Sequence, residues 1–113
     1  MSRDWPLRLS DIRECCQKIL GYTAQLTRED LSADEMLLDA VVRNLEIIGE
    51  AAKHLPDHVR KSMGLIEWKK IIGMREWAAH KYFRLDYDII WDVVESKIPA
   101  LLDEVEKFVG PPQ

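Results

Sequence analysis

Apolar residues recur every three or four positions along almost the whole chain, and this helical period constrains the fold more than any other feature. No segment alternates cleanly between apolar and polar residues, as a half-buried strand would. Glycine and proline number five each among 113 residues, too few for the frequent turns of an all-β chain. The sequence therefore predicts an all-α, up-and-down bundle of four main helices and one short helix.

Two serines mark where the first two main helices are expected to begin. Ser10 stands before the first apolar stripe, which continues to Leu26, and can cap that helix. The polar stretch at 27–30 is expected to end it. Ser32 and Glu35 have the spacing of a capping box, which predicts that the second main helix starts there.

Prolines and an aspartate set the remaining boundaries. Pro56 is expected to end the second main helix, and one short helix is expected at 57–63. The apolar period then predicts a helix at 67–82, and Asp86 can cap the last helix. Pro99 lies inside the last apolar stripe, which resumes after it, so we expect Pro99 to kink that helix without ending it.

The second main helix carries two apolar stripes. The first consists of Leu37, Val41, Leu45, Ile48, Ala52 and Leu55, and the second of Met36, Ala40, Ile47 and Ala51. A helix with two stripes is usually buried on two sides. In a chain of this size, the pattern predicts one face in the core and another at a subunit interface.

The length of 113 residues predicts a single domain over 1–113, with a core at about 9–109 and short flexible tails. Residues 1–10 lack the apolar stretch of a signal peptide. No apolar run approaches the roughly 20 residues that cross a bilayer. We therefore expect a cytoplasmic protein that does not bind membranes.

Neither the cysteines nor the histidines predict a metal centre. Cys15 and Cys16 are adjacent, which suits neither a disulfide framework nor a metal-ligand pair, and we expect both to pack as small apolar residues. His54 and His58 have a spacing that could bind metal, but no further ligand extends the pattern. We expect these histidines to be solvated or at an interface, and we predict no metal and no cofactor.

The charges are unevenly distributed. The chain has a net charge of −4, which taken alone argues against nucleic acid as a partner. Residues 53–84, however, carry eight basic and three acidic side chains, so this basic window is +5 and the remainder is −9. Such a window suits a phosphate-binding cleft, because the local field steers a polyanion more than the net charge does. A set of solvated helix faces would explain it equally well.

The stretch MREWAAHKYF at 74–83 holds the residues best suited to chemistry. Histidine titrates near neutral pH, so His80 could take a proton from a ribose 2′-OH or return one to the leaving oxygen. Arg75 could hold the phosphate and stabilise the charge of the transition state. Tyr82 could bind phosphate or stack on a base. The pattern therefore suggests metal-independent RNA cleavage.

The same residues have a simpler interpretation, as ordinary residues of a helix end with Arg75 paired to a carboxylate. Arg75 and Tyr82 are seven residues apart and share a helix face. His80 lies about 140° around a regular helix from Arg75. The two would converge only if the helix loosens near its end or if a second subunit completes the site.

A ridge of four polar residues lies between the two apolar stripes. Its members are Asp39, Arg43, Glu46 and Glu50. They could form ion pairs with one another along the helix. Alternatively, Arg43, Glu46 and Glu50 contact Arg75 or His80 and orient these side chains without touching the RNA themselves.

Three segments together resemble the HepT-like branch of the HEPN superfamily. They are AVVRNLEIIGEAA at 40–52, WKKIIGMR at 68–75 and HKYF at 80–83. The likeness extends from about Asp11 to Val109, and the motifs keep the order and spacing of the family. This pattern is far more specific than one arginine and one histidine at a fixed spacing.

The resemblance implies a helical bundle that forms a homodimer, in which the Arg-x4-His-x-Tyr segments of both subunits meet in a cleft. It also implies the toxin of a type II/VII-like toxin–antitoxin system, acting as a metal-independent endoribonuclease. Arg75 and His80 would be the catalytic pair. The partner would be a minimal nucleotidyltransferase antitoxin that transfers AMP onto Tyr82.

Glu76 departs from the family pattern, which usually has a small polar residue after the motif arginine. Its carboxylate could pair with Arg75 or repel RNA. With Tyr82 and Lys81, Glu76 completes the residues that we assign to RNA binding or modification. Two alternatives to a catalyst stay open. One is a non-catalytic subunit that partners a nucleotidyltransferase, and the other is a helical dimer without a site.

Overall fold

The computed structural model describes residues 4–80 and 86–109, and at 79 and 80 it describes the backbone alone. Regular structure there is entirely helical, which confirms the all-α prediction. The helices are α1 (Trp5–Thr23), α2 (Arg28–Ala33), α3 (Glu35–Lys53), α4 (Asp57–Ser62), α5 (Trp68–His80), α6 (Tyr87–Asp92) and α7 (Ile98–Val109), with a π turn (Val93–Lys97) joining the last two. Of these described helices, none has the length and apolar character needed to span a membrane.

The first helix starts well before Ser10, so the predicted cap there is wrong. α1 begins at Trp5, with Pro6 in its first turn. Proline is tolerated in that turn because its missing N–H would have no partner inside the helix. Trp5 also packs edge-on against Phe108 and His58, with ring centroids 6.0 Å apart in each case. These contacts fix the extra turn to the rest of the bundle.

The polar stretch after α1 leads into the short helix α2, which was not predicted from the sequence. Thr27 accepts a hydrogen bond from the backbone N of Asp30, and the Asp30 carboxylate accepts one from the backbone N of Thr27. This reciprocal capping box stabilises a helix of six residues. Leu31, which is fully buried, anchors that helix to the core.

The predicted capping box of α3 is also wrong, by two positions. Asp34 is the N-cap, and its carboxylate accepts a hydrogen bond from the backbone N of Leu37. Ser32 lies inside α2, where its hydroxyl donates to the carbonyl oxygen of Glu29. A serine and an aspartate two residues apart are both good caps. Here the serine lies inside the preceding helix, so the aspartate caps α3.

Asp86 caps the last helical segment, as predicted. Its carboxylate accepts hydrogen bonds from the backbone N of Asp88 and of Ile89. The helical backbone then continues past Pro99, also as predicted, and the irregularity before this proline is the π turn.

The π turn keeps the two halves of this segment facing the core. Eight residues separate Ile90 from Ile98, which in a regular α-helix would turn the second side chain about 80° away from the first. A π turn is wider and rotates by a smaller angle per residue than an α-helix, so it offsets this drift. Ile90 and Ile98 are accordingly both buried.

The core forms around α3, which packs against α1 on one side and α5 on the other. The first predicted stripe of α3 is buried apart from Leu37, which is half-buried. In the second stripe Ala51 is buried, Ala40 and Ile47 are half-buried, and Met36 is 84% exposed. The second stripe therefore lies partly open, and its role at a subunit interface stays a prediction.

Candidate active site

Arg75 projects from the middle of α5 and forms an ion pair with Glu50 of α3. Its Nε lies 2.6 Å from Oε1 of Glu50, and about half of the Arg75 side chain remains exposed. Oε1 is itself shielded from solvent and accepts no well-aligned hydrogen bond from the described residues. The attraction of opposite charges therefore holds the guanidinium against Glu50.

The second carboxylate oxygen of Glu50 accepts a hydrogen bond from His54. Nε2 of His54 lies 3.0 Å from Oε2, one helical turn along α3. This hydrogen bond lowers the pKa of Glu50 the most, partial burial opposes it, and the positive charges of Arg75 and Lys53 lower the pKa further. Glu50 therefore stays ionised as the anchor of Arg75 at neutral pH.

A cavity of about 270 Å³ opens beside this ion pair, between α1, α3 and α5. It is lined by Arg8, Asp11, Arg43, Glu46, Ile47, Glu50, Ala51 and Arg75. Three arginines and three carboxylates share its wall, so their formal charges balance. A balanced wall positions side chains through mutual pairing and gives less net attraction for a polyanion than the sequence suggested.

The structure brings three of the four predicted ridge residues next to Arg75. Arg43, Glu46 and Glu50 line the cavity, whereas Asp39 does not. Nη1 of Arg43 donates to Oε1 of Glu46 at 3.3 Å, so one pair on this ridge follows the simple helical interpretation. Glu50 instead forms its ion pair with Arg75 of α5, and its role in orienting Arg75 stays a prediction.

Arg8 and Asp11 belong to the cavity wall but were not predicted from the sequence. They are three residues apart on α1, and each directly precedes a buried residue of its stripe, Leu9 or Ile12. The sequence signal that could have identified Arg8 and Asp11 is a charged pair that borders a buried stripe. Arg8 was missed because the helix was expected to begin only after Ser10, whereas Asp11 lay inside the expected helix and was not singled out.

The motif helix keeps α-helical geometry through His80, so the loosening that was one of the two ways for Arg75 and His80 to converge does not occur within α5. Arg75 and His80 therefore stay about 140° apart around this helix. The His80 side chain, Lys81 and Tyr82 lie outside the described residues. Glu76 is exposed on α5, next to Arg75.

A family model described as Ribonuclease HepT-like matches residues 12–108, which is most of the chain. The chain belongs to the HepT-like ribonuclease family. This match confirms the resemblance inferred from the three sequence segments.

Three relatives illustrate the extent of the similarity. The HepT-like chain is 36% identical over 108 residues to a Thermococcus cleftensis protein named "probable ribonuclease HepT", covering 96% of this chain and 98% of the relative. It is 38% identical over 101 residues to a protein of Caldanaerobacter subterraneus subsp. tengcongensis named as a candidate RNase, covering 89% and 90%.

The third relative is a longer protein of Methanocaldococcus jannaschii, named as a gamma-glutamylcyclotransferase and candidate RNase. It is 38% identical over 109 residues, covering 96% of this chain but 49% of the relative, so the chain spans about half of that protein. No solved structure matches the HepT-like chain.

Ion pairs neutralise part of the predicted basic window of the HepT-like chain. Arg60 pairs with Asp57 at 2.7 Å, and Lys70 pairs with Glu67 at 3.3 Å. With Arg75 bound to Glu50, three of the basic side chains that the structure describes in this window thus have carboxylate partners. Solvated pairing on helix faces accounts for part of this window, as its simpler interpretation proposed.

In the HepT-like chain the two cysteines are buried, and the two described histidines contact other side chains. Cys15 and Cys16 are buried, and burial raises the pKa of both thiols, that of Cys16 to about 12. His54 binds Glu50, and His58 packs against the ring of Trp5. Across residues 4–80 and 86–109, no three His, Cys, Asp or Glu side chains converge as a set of metal ligands.

Proposed function

We propose that this HepT-like chain is an endoribonuclease that cleaves RNA without a metal ion, with Arg75 and His80 as its catalytic pair. The observation that carries the proposal is the placement of Arg75. Its guanidinium is anchored by Glu50 yet half exposed, on the same helix as His80. Membership of a family described as ribonucleases supports the same activity.

The proposed reaction is transfer of a phosphodiester within the RNA. His80 removes the proton from a ribose 2′-OH, and the 2′-oxygen then forms a bond to the adjacent phosphorus while the bond to the 5′-oxygen breaks. The leaving oxygen takes up a proton from a protonated histidine or from water. Arg75 donates hydrogen bonds to the non-bridging phosphate oxygens, where negative charge builds up.

The site is proposed to form between two copies of the chain. Arg75 and His80 are about 140° apart on a regular helix, so one phosphate is not easily held between them in a single chain. In a homodimer, the histidine of one subunit can face the arginine of the other. The half-exposed second stripe of α3 offers apolar surface for such an interface.

We propose further that this ribonuclease is a cytoplasmic toxin of the type II/VII-like class, paired with a minimal nucleotidyltransferase antitoxin. The antitoxin would neutralise it by modifying Tyr82. The Tyr82 oxygen would attack the α-phosphorus of ATP, so that AMP becomes attached and pyrophosphate leaves. Lys81 and Glu76 would then lie beside the modified side chain and the RNA. The resemblance supports this role.

A second candidate function is a non-catalytic partner of a nucleotidyltransferase. The charge balance of the cavity favours it, because three carboxylates already face the arginines there. Glu76, next to Arg75, places another carboxylate on the motif helix. A chain of this kind would bind the nucleotidyltransferase and accept AMP without cleaving RNA.

The deciding experiment incubates the purified chain with labelled RNA in EDTA. We expect cleavage by the wild type and loss of at least about 100-fold in Arg75→Ala and His80→Ala, the range of a lost transition-state donor or general base. Arg28→Ala is the matched control, since Arg28 lies on α2 outside the cavity wall and also pairs with two carboxylates, those of Glu29 on α2 and Asp88 on α6. Cleavage unchanged by either motif substitution would exclude the assigned pair.

Co-expression with a nucleotidyltransferase tests the partner. We expect a stable complex and a mass increase matching AMP that disappears in Tyr82→Phe. A complex and a modified tyrosine without any RNA cleavage would establish the second candidate function. Absence of a complex would exclude the antitoxin proposal while leaving the ribonuclease activity to the first experiment.

A further inference from the structure

α3 and α5 approach each other closely at Gly49. A Cβ atom placed on Gly49 would lie 2.6 Å from the backbone N of Arg75, 3.0 Å from its Cβ and 3.1 Å from the carbonyl oxygen of Ile71. Real Cβ atoms essentially never come within 3.0 Å of such atoms. No residue larger than glycine therefore fits here unless one helix moves.

Two other helical glycines show that this crowding is particular to Gly49. Cβ atoms placed on Gly21 of α1 or on Gly73 of α5 would meet nothing within 4 Å. Glycine is unfavourable inside a helix, so its presence there needs a compensating reason. At Gly49 the reason is backbone contact with the residue that carries the candidate catalytic guanidinium.

We propose that Gly49 is a positioning residue for Arg75, because it sets the separation of α3 and α5 at which Arg75 reaches Glu50. Glu50 directly follows Gly49, and the atoms that a methyl group would strike belong to Arg75 and Ile71. Any change in separation at this point therefore acts on both partners of the ion pair at once. The catalytic consequence rests on the proposed function, whereas the positioning itself does not.

The expected displacement is large enough to matter for catalysis. Ordinary van der Waals contact begins at 3.4 Å, so a methyl group at Gly49 requires the Arg75 backbone to retreat by roughly 0.8 Å. A misplacement of about 1 Å at a catalytic group can cost on the order of 100-fold in rate. If Gly49 served packing alone, Gly49→Ala would lower the stability of the protein and leave the properties of Arg75 in the folded protein unchanged.

The first test uses NMR and needs no RNA. In the wild type we expect a strong nuclear Overhauser effect between an Hα of Gly49 and the amide proton of Arg75. We also expect the Nε–H signal of Arg75 to move towards that of a free side chain in Gly49→Ala, but not in the matched controls Gly21→Ala and Gly73→Ala. If the Overhauser effect is absent, or if folded Gly49→Ala keeps the wild-type Arg75 signal, the inference is wrong.

The second test measures binding of a 2′-O-methyl RNA, which lacks the attacking hydroxyl and so cannot be cleaved. We expect Gly49→Ala to weaken binding roughly tenfold, which is less than the cost in rate, on the order of 100-fold, of misplacing a catalytic group by about 1 Å. Both glycine controls should bind as the wild type does. In an Arg75→Ala background, adding Gly49→Ala should weaken binding no further. An equal penalty in both backgrounds would contradict action through Arg75.

The two tests separate the possible failures. If the wild type neither binds nor cleaves RNA, the proposed function is wrong, and the NMR comparison alone decides whether Gly49 positions Arg75. If Gly49→Ala does not fold, the decision falls to the wild-type Overhauser effect together with the dependence of the Arg75 Nε–H signal on Glu50, measured in Glu50→Gln. A signal unaffected by Glu50→Gln would overturn the inference.

Discussion

Nε of Arg75 lies 2.6 Å from Oε1 of Glu50, and this ion pair joins α5 to α3 at the edge of the charged cavity. The pair between Arg43 and Glu46, by contrast, lies within one helix. Both Arg75 and Glu50 are more than a third exposed, so solvent screens their attraction and its contribution to stability is about 1 kcal/mol or less. The contact therefore matters more for the direction of the guanidinium than for the stability of the fold.

Glu50→Gln should make the stability of the protein less dependent on acid pH. The pKa of Glu50 is lowered in the folded state, so its ionised form stabilises the fold above its ordinary pKa of 4.5. That stability is lost as pH falls through the folded pKa. In urea unfolding between pH 7 and 3, the deficit of Glu50→Gln should thus be largest above pH 4.5 and shrink towards zero in acid. A deficit that grows on acidification would contradict the ion pair.

Glu50→Gln should also slow RNA cleavage roughly tenfold if Arg75 is the phosphate-binding group, because a neutral amide holds the guanidinium less firmly. Steady-state kinetics at neutral pH provide the measurement. Glu14→Gln is the control, since Glu14 forms an exposed pair with Lys18 within α1 and lies outside the cavity. Equal rates for wild type and Glu50→Gln would remove Glu50 from the site.

His54→Ala should raise the pKa of Glu50 towards its ordinary value. The hydrogen bond from His54 is the largest cause of the lowered pKa, and this substitution removes it while leaving Arg75 in place. Carboxyl ¹³C NMR titration of Glu50 reports the change directly. His58→Ala is the matched control, because His58 contacts Trp5 and should leave the titration of Glu50 as it is.

Leu45→Ala should destabilise the protein by about 2–5 kcal/mol, because Leu45 is fully buried in the first stripe of α3 and its truncation leaves a cavity. Met36→Ala, on the same helix but 84% exposed in the single chain, should change the free energy of unfolding of that chain by no more than about 0.5 kcal/mol, and by more where the proposed homodimer covers Met36. Chemical denaturation of both variants gives the comparison. Similar losses in the two would mean that Met36 is covered in solution, as the predicted interface requires.

Asp86→Ala should cost about 1 kcal/mol of stability, because the aspartate caps the last helical segment with two hydrogen bonds to backbone N atoms. Asp86→Asn should retain most of that stability, since asparagine caps a helix about as well. Thermal unfolding distinguishes the two variants. A loss of the same size in both would point to the charge of Asp86, and not to its capping, as the source of the effect.

Helical periodicity predicted the buried faces well, because burial follows from the angle at which side chains leave a helix. Leu45 and Ile98 could be assigned to the core from spacing alone, and both are fully buried. Helix starts were harder to predict. Ser10, Ser32 and Asp34 are all acceptable caps, and tertiary packing of Trp5 and the capping box at α2 decided between them.

The candidate site could be predicted only as a set of residue types. The ridge on α3 and the arginine on α5 are visible in the sequence, but which carboxylate Arg75 meets depends on where the two helices cross. That crossing is set by Gly49, whose close backbone contact leaves no signature in hydropathy or charge. Arg8 joins the same wall because α1 starts earlier than its serine suggested.

The π turn at Val93–Lys97 has a consequence for how this chain compares with others that share its last helix. Removing one residue there would place Ile90 and Ile98 seven positions apart, within about 20° of two full α-helical turns. Both side chains would still face inward, and Leu101 with Val105 would follow them. An aligned relative with an uninterrupted last helix should thus show a single-residue gap here, and a one-residue deletion is a length change that the core would accept.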